Sequence, residues 1–474
     1  MICVILCLQN EKCGISLFCK NREKAPRFSS KTARFCVRRG IKYDVSHGIP
    51  GTELPVHTIC FYPSHWRTEG EITLKDNKKK KRKKWRHPRH VVVRNLLSVT
   101  LGVYTRVKYN VKVDKFKEQG NRPYLILFNH QTAFDQFFVG MAFRGPIYYV
   151  ASEDIFTKGW VSRLIKYLVA PIPIKKQSAD ITAVMNCIRV AKEGGTIAMA
   201  PEGNRTFGGS TGYMNDAIVP LARKLGLPIA LYRIEGGYGV HPRWSDKVRG
   251  GGMRGYVSEV IEPECYAEMT NEELYTAIKD GLSVVEGRGG KSYPTKTPAE
   301  YIERAFYVCP DCGMTELYSE GDTVTCQKCG RRITVGCDMT VTGEGLPFTN
   351  VGEWYDWQED YINSIDPRDM GDTPLHIAKC RLYEVIPYKK KELIGEDVDL
   401  ALYSDRIVAG DVTLSFDGTS VVTVLGRNKL NIYHGGNVYQ IKSEKRFCAL
   451  RYMNIFYRVK NLAKENENDR FLGL

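Results

Sequence analysis

Between about residues 122 and 262 the hydrophobic positions change period repeatedly. Tyr124-Leu125-Ile126-Leu127-Phe128 is a short uninterrupted apolar run, the pattern of a strand buried on both faces, and Ile147-Tyr148-Tyr149-Val150 reads as another. A helical stretch near 160–168 leads to Ala170–Ile174, which is extended but holds Pro171 and Pro173. Proline cannot donate to a central ladder, so this strand belongs at an edge or is irregular. Ile181, Val184, Met185, Ile188 and Ala191 then recur at helical spacing, and Gly194-Gly195 ends that helix. Thr196–Ala200 is the next strand, 216–226 a helix, and Pro228–Tyr232 a further strand. Strands alternating with helices of this length predict βαβ units, hence an α/β domain with a mostly parallel sheet. Ligands of such sheets bind beyond the carboxyl ends of the strands.

Further along, Thr270-Asn271-Glu272-Glu273 is a capping box that opens a helix to about 286, and the Gly- and Pro-rich stretch from Gly287 to Pro298 reads as a linker. Trp354, Tyr355 and Trp357 fit core packing better than a ligand cage. Thr413–Phe416, Val421–Leu425, Lys429–Tyr433 and Val438–Ile441 read as short antiparallel strands, joined by turns at Asp417-Gly418, Arg427-Asn428 and Gly435-Gly436. A closing helix would carry Leu450, Met453, Ile455, Phe456 and Val459. In layout this part resembles a small pleckstrin-homology-like or GRAM-like β domain; a generic small β domain is the alternative.

Composition changes the picture mainly through charge. The 474 residues are 43% hydrophobic and 26% charged, which excludes global disorder and fibrous repeats. Lys and Arg outnumber Asp and Glu by 69 to 53, a net +16 that calls for an anionic partner: a membrane surface, a phosphorylated substrate or nucleic acid. Much of the excess sits in Lys78-Lys79-Lys80-Lys81-Arg82-Lys83-Lys84, which runs into the apolar stretch Val91–Tyr104. That stretch is too short to span a bilayer but long enough to lie in its interface, and basic residues beside it add about 1 kcal/mol each near an anionic leaflet. With a mean hydropathy of −0.31, any membrane role is expected to be peripheral. A solvated charge run beside an ordinary core element remains the alternative.

Six of the fifteen cysteines crowd the first 60 residues and show no CxxC spacing, and no secretory leader is recognisable. The expected compartment is a reducing cytoplasm, with the protein on the inner face of the membrane. Cys309-Pro-Asp-Cys312-Gly and Cys326-Gln-Lys-Cys329-Gly, with 13 residues between Cys312 and Cys326, form paired knuckles. Four thiolates make a closed tetrahedral site, so Cys309, Cys312, Cys326 and Cys329 are expected to hold a structural zinc in a ribbon. The expected organisation is an unassigned extension, taken as disordered, over 1–77; the basic run and interfacial segment over 78–110; the α/β domain over 111–286; a linker over 287–303; the ribbon over 304–337; a connecting segment over 338–395; the β domain over 396–462; and a tail over 463–474.

Candidate chemistry lies at the ends of two strands. Asn129-His130-Gln131-Thr132-Ala133-Phe134-Asp135 follows the first strand directly, and a His and an Asp five apart across such a turn can pair. The carboxylate would fix the imidazole tautomer while the other ring nitrogen takes a proton from a hydroxyl. The spacing alone is weak, because His241-Pro242-Arg243-Trp244-Ser245-Asp246 repeats it. What strengthens the first copy is Ala200-Pro201-Glu202-Gly203-Asn204-Arg205-Thr206, also at a strand's carboxyl end. Gly203 permits a turn or close ligand approach, Arg205 offers a planar fork for phosphate, and Glu202 can hold a hydroxyl or orient Arg205.

With both motifs in hand, the segment from about 85 to 285 resembles the glycerolipid acyltransferases, the 1-acylglycerol-3-phosphate acyltransferases in particular. NHQTAFD and PEGNRT match two of that family's blocks, and Gly226-Leu227-Pro228-Ile229 resembles a third. A remaining block normally ends in Arg; here Ala170–Lys176 offers Lys176, or Lys175, which loses the bidentate geometry. The resemblance implies that His130 is the general base and Asp135 its partner, and that Glu202, Gly203, Arg205 and Lys176 bind the acceptor. It further implies acyl transfer from acyl-coenzyme A or acyl carrier protein to lysophosphatidate, glycerol 3-phosphate or another lysophospholipid, without an acyl-enzyme. Residues 91–105 would then dock on the phospholipid surface. A nucleic-acid-binding ribbon protein is the alternative of another class; it explains the charge and the cysteines but neither motif.

Overall fold

The computed structural model describes residues 84–156, 159–174, 180–386 and 389–463, and three short strands before them. The basic residues 78–83, together with Lys175 and Lys176, lie outside the described residues. Two units are distinguished, Met1–Arg82 and Lys83–Leu474. In the first, Ile2–Leu6 pairs antiparallel with both Ile15–Cys19 and Thr58–Ile59.

The second unit begins with α1 (Pro88–Tyr109), whose first residue supplies the fixed φ favoured there and whose last turn carries Arg106 and Lys108 against the helix dipole. A seven-stranded sheet follows: β1 (Val111–Val113), β2 (Leu125–Phe128), β3 (Ile147–Ser152), β4 (Ile172–Ile174), β5 (Thr196–Met199), β6 (Ile229–Glu235) and β7 (Met253–Ile261), in the order β1-β7-β6-β2-β5-β3-β4. Every pair is parallel except β6 with β7, and the proline-containing β4 is an edge strand, as its sequence requires. β2 is buried on both faces: Ile126 and Phe128 pack toward α2 (Asp135–Ala142), and Leu125 and Leu127 toward α4 (Ile181–Lys192), α5 (Ile218–Leu225) and α6 (Asn271–Leu282). The capping box of α6 is complete, with Thr270 Oγ1 accepting from the Glu273 amide at 3.1 Å and Glu273 Oε2 from the Thr270 amide at 2.7 Å. α3 (Trp160–Val169) lies beside α1.

The stretch 287–303 is packed: Tyr293, Ala299 and Ile302 are buried. A Cβ on Gly239 would fall 2.0 Å from the Tyr293 ring, so the ring's seat requires glycine. The ribbon has a two-stranded knuckle, Val308–Cys309 with Gly313–Met314, and a four-stranded antiparallel sheet between Leu317 and Thr342. Trp354 on α7 (Val351–Ser364) is fully buried and stacks on Phe348, with ring centroids 5.2 Å apart, as core packing predicts.

The C-terminal sheet is entirely antiparallel. Its strands are β8 (His376–Glu384), β9 (Glu392–Leu402), β10 (Arg406–Ala409), β11 (Val412–Ser415), β12 (Thr419–Leu425), β13 (Lys429–His434) and β14 (Asn437–Lys442), in the order β11-β10-β9-β8-β14-β13-β12. α8 (Ala449–Ala463) packs over β12 and β13 and buries Leu450, Met453, Ile455 and Phe456. One continuous apolar cluster runs from α2 through Tyr238, Trp244 and Tyr307 into this sheet, which is why Lys83–Leu474 holds together as one body. Among the described residues no helix is long and apolar enough to cross a membrane.

Candidate active site

His130 follows β2 directly. The preceding Asn129 is buried and closes a two-way bridge to β6, its amide donating to Ile234 O at 2.8 Å and its oxygen accepting from Ile234 N at 2.7 Å. This fixes the chain where it leaves the sheet. Asp135 opens α2, and its Oδ2 lies 2.7 Å from His130 Nδ1. The carboxylate is wholly buried and further occupied by the amides of Gln131 (2.7 Å) and Thr132 (3.0 Å) and by the Thr132 hydroxyl (2.7 Å). An ionised carboxylate only accepts, so the neutral imidazole carries its proton on Nδ1 and leaves the Nε2 lone pair free. The imidazole is 25% exposed, so a substrate can reach it.

The second motif holds the first in place. Glu202 Oε1 accepts from the backbone amide of His130 at 2.7 Å, and Oε2 from the amide of Gly212 at 2.7 Å. The amide of Thr206 donates to His130 O at 3.1 Å, so the His130 backbone is gripped on both sides. Burial pushes the Glu202 carboxyl up to about 8; the two amides oppose the shift and nearby Asp135 adds to it. Both Glu202 oxygens are therefore engaged with backbone, not with Arg205 or an open cleft. Gly203 takes the left-handed region at φ +66° in the tight turn closed by its amide on Ala200 O at 3.1 Å.

Arg205 lines an open cavity of about 700 Å³ together with Ala133 and Phe134 of the first motif. Its guanidinium donates to Gly426 O, at 3.1 Å, in the C-terminal sheet. Burial lowers its pKa to about 10, still well above neutrality. Of the acceptor-binding residues expected from the sequence, Lys176 lies outside the described residues. The repeated His-x4-Asp spacing forms no pair: Asp246 bonds Arg304 at 2.7 Å and Arg427 at 3.3 Å. His241 instead accepts from Arg427 on Nε2 at 3.2 Å and faces the Tyr109 hydroxyl at 3.4 Å. Burial, then Arg427, Arg205 and Lys108, lower its pKa to about 3, so this ring is neutral.

Residues 107–234 match the family model described as Acyltransferase. This segment is similar to acyltransferase domains. It contains His130, Asp135, Glu202, Gly203 and Arg205. A solved structure of the 1-acyl-sn-glycerophosphate acyltransferase PlsC from Thermotoga maritima is similar over 41% of this chain and 78% of its own, at 21% identity and a TM-score of 0.35. So slight a likeness adds nothing to the geometry. No curated protein matches the chain.

The four ribbon cysteines form a cluster able to hold a metal ion, with all four Sγ atoms within 4.8 Å of one another. Cys309 and Cys329 are 3.7 Å apart and Cys312 and Cys326 3.9 Å. Sulfurs about 2.3 Å from a tetrahedral zinc stand about 3.8 Å from each other, so the donor set fits. Backbone amides point at two of the sulfurs, from Asp311 and Cys312 to Cys309 and from Cys329 and Lys328 to Cys326. Gly313 and Gly330 follow the knuckles at positive φ.

The sequence did not single out Tyr109, His241, Arg243 or Arg427 for the site. Arg427 was legible as part of a turn, but nothing local marks that turn as reaching another domain.

Proposed function

We propose that the protein is a glycerolipid acyltransferase, moving a fatty acyl group from an acyl thioester to the hydroxyl of lysophosphatidate to give phosphatidate. The observation that carries the reading is the His130–Asp135 pair at 2.7 Å within the acyltransferase domain, with Nε2 left free. The acceptor hydroxyl gives its proton to Nε2 as its oxygen attacks the thioester carbonyl. The C–S bond then breaks, and the departing sulfur recovers the proton from the imidazolium. Asp135 stabilises that imidazolium, and Glu202 keeps the His130 backbone fixed. Arg205 is the cation for a substrate phosphate.

Several features support work at the cytoplasmic surface of a membrane. Val92, Leu96, Val99, Val103 and Val107 form an exposed apolar stripe along α1, and Trp160, Leu164 and Tyr167 on neighbouring α3 are exposed as well. In the sequence, the basic run Lys78–Lys84 comes just before α1. Zinc is the metal proposed for the four cysteines, with a structural role. The seven antiparallel strands and closing helix support the pleckstrin-homology-like layout expected for the C-terminal domain. Binding of nucleic acid would leave the dyad without a role.

The test is acyl transfer by zinc-loaded protein on anionic vesicles, wild type and His130→Ala, with lysophosphatidate or glycerol 3-phosphate as acceptor and acyl-coenzyme A or acyl carrier protein as donor. Turnover that is lost in the variant supports the reading, and the acceptor used names the substrate. No transfer in any combination overturns it.

A further inference from the structure

The cavity beside the dyad has two walls of different origin. One belongs to the acyltransferase domain, with Lys108 and Arg205; the other is the β12–β13 turn, Leu425–Lys429, and the end of β14, Lys442–Lys445. The seam between them is tightly bonded. Arg243 is buried, and its guanidinium donates to three carbonyls: Arg205 O at 2.7 Å on one wall, and Val424 O at 2.6 Å and Gly426 O at 2.9 Å on the other. Arg427 reaches back from the turn to Ser245 O at 2.8 Å. The turn is thus pinned beside Arg205 and is not free to swing away.

The cavity's charge is lopsided. Seven cationic side chains line it against two carboxylates, Asp246 and Glu444. Asp246 is taken up by Arg304 and Arg427 at the seam. Four of the seven cations, Arg427, Lys429, Lys442 and Lys445, come from the C-terminal domain. A phosphomonoester carries only about −1.5 to −2, so the surplus matches a ligand with several phosphate groups better than one with a single phosphate. A cleft of this sign concentrates such an anion. Of the substrates in the proposed reaction, the nucleotide thioester donor is the one with several phosphates, a pyrophosphate and a 3′-phosphate. Lysophosphatidate, glycerol 3-phosphate and the prosthetic arm of acyl carrier protein each have one.

We infer that the C-terminal β domain is half of the donor site: Lys429, Lys442 and Lys445 bind the phosphates of an acyl-coenzyme A-type donor and so set the reaction's donor class. This rests on the proposed acyl transfer, and it makes the C-terminal domain part of the catalytic unit.

The test is binding of coenzyme A, dephospho-coenzyme A and glycerol 3-phosphate to the full chain by calorimetry, wild type and Lys442→Ala/Lys445→Ala, with kcat and KM for each substrate alongside. Both lysines are exposed, so their removal leaves the fold intact, and circular dichroism verifies this. The expected result is a loss of coenzyme A affinity of about 10-fold or more in the double variant, a matching rise in donor KM, and glycerol 3-phosphate affinity within twofold of wild type. Dephospho-coenzyme A should bind wild type more weakly than coenzyme A. Loss of glycerol 3-phosphate affinity instead assigns the pocket to the acceptor and overturns the inference. So does unchanged affinity for both, or turnover with acyl carrier protein alone and no binding of coenzyme A. Coenzyme A binding that depends on the two lysines in a protein without acyl transfer sinks the proposed reaction and keeps the donor pocket.

Discussion

Oε1 of Glu202 lies 2.7 Å from the backbone amide of His130, joining two motifs 72 residues apart in the chain. Glu202 thus clamps the His130 backbone, and its second oxygen ties the same point to Gly212. In the proposed reaction its role is position, not charge delivery.

Glu202→Gln should therefore lower kcat more than it raises either KM. An amide can accept from only one of the two backbone donors and sets its NH2 against the other. A pH dependence comes with it. The folded-state carboxyl, raised to about 8 from its ordinary 4.5, holds its proton more tightly than the unfolded chain does. Its contribution to stability is thus present at low pH and is lost as pH rises through 8, by up to about 1.4 kcal/mol per unit. The gap in Tm between wild type and Glu202→Gln should shift against wild type between pH 5 and 8; a gap that stays constant would refute the assignment.

Asp135→Asn should be more damaging than loss of a charge alone. The carboxylate accepts from the His130 ring, two amides and a hydroxyl, and an NH2 group in its place must face a donor. A buried unsatisfied donor costs about 1–3 kcal/mol, and loss of the tautomer bias should cut kcat by about 100-fold or more. Steady-state kinetics with a melting curve separate the two effects. Normal turnover would remove Asp135 from the mechanism.

Much of the α/β domain is legible in the sequence, because the signals there are local. β2 is a continuous apolar run, β4 announces its edge position through Pro171 and Pro173, and the Thr270–Glu273 box is complete as read. β7 was not legible: the adjacent polar residues Ser258 and Glu259 break its alternation where the register shifts between Val257 and Glu259. The stretch 287–303 has the composition of a linker, yet Gly239 leaves room for Tyr293 from it to pack against the domain. Partnership across the seam was invisible for the same reason. Arg243 and the carbonyls of Val424 and Gly426 meet only through tertiary structure, and no spacing encodes it.

The ribbon offers a separable test. Cys312→Ser with Cys329→Ser removes one ligand from each knuckle, and the purified chain should lose about one equivalent of zinc. Cys309 and Cys326 belong to the apolar cluster that continues into the C-terminal sheet, so metal loss should also lower Tm. Metal analysis and calorimetric melting check both. Retention of full zinc in the double variant would mean that these cysteines are not its ligands.

The apolar face of α1 makes the last prediction. Val92, Leu96, Val99, Val103 and Val107 recur every three or four residues, so they form one stripe, and all are exposed. The same helix buries Gly102, Thr105 and Tyr109 elsewhere on its circumference, with Gly102 close enough to Met141 that a Cβ would stand 3.1 Å from the sulfur. The exposed stripe is thus surplus to the core, and Arg94 anchors the helix independently by donating to Gly140 O at 3.1 Å. Leu96→Glu with Val103→Glu should leave folding and Tm nearly unchanged. Each leucine- or valine-sized side chain withdrawn from the interface removes about 1.5 kcal/mol or more, so binding to anionic vesicles should fall by about 100-fold. Acyl transfer to lysophosphatidate presented in those vesicles should fall in parallel, while transfer to soluble glycerol 3-phosphate, if wild type accepts it, should not. Vesicle sedimentation reads the first effect and kinetics the second. Undiminished sedimentation of the double variant would show that the membrane meets another surface.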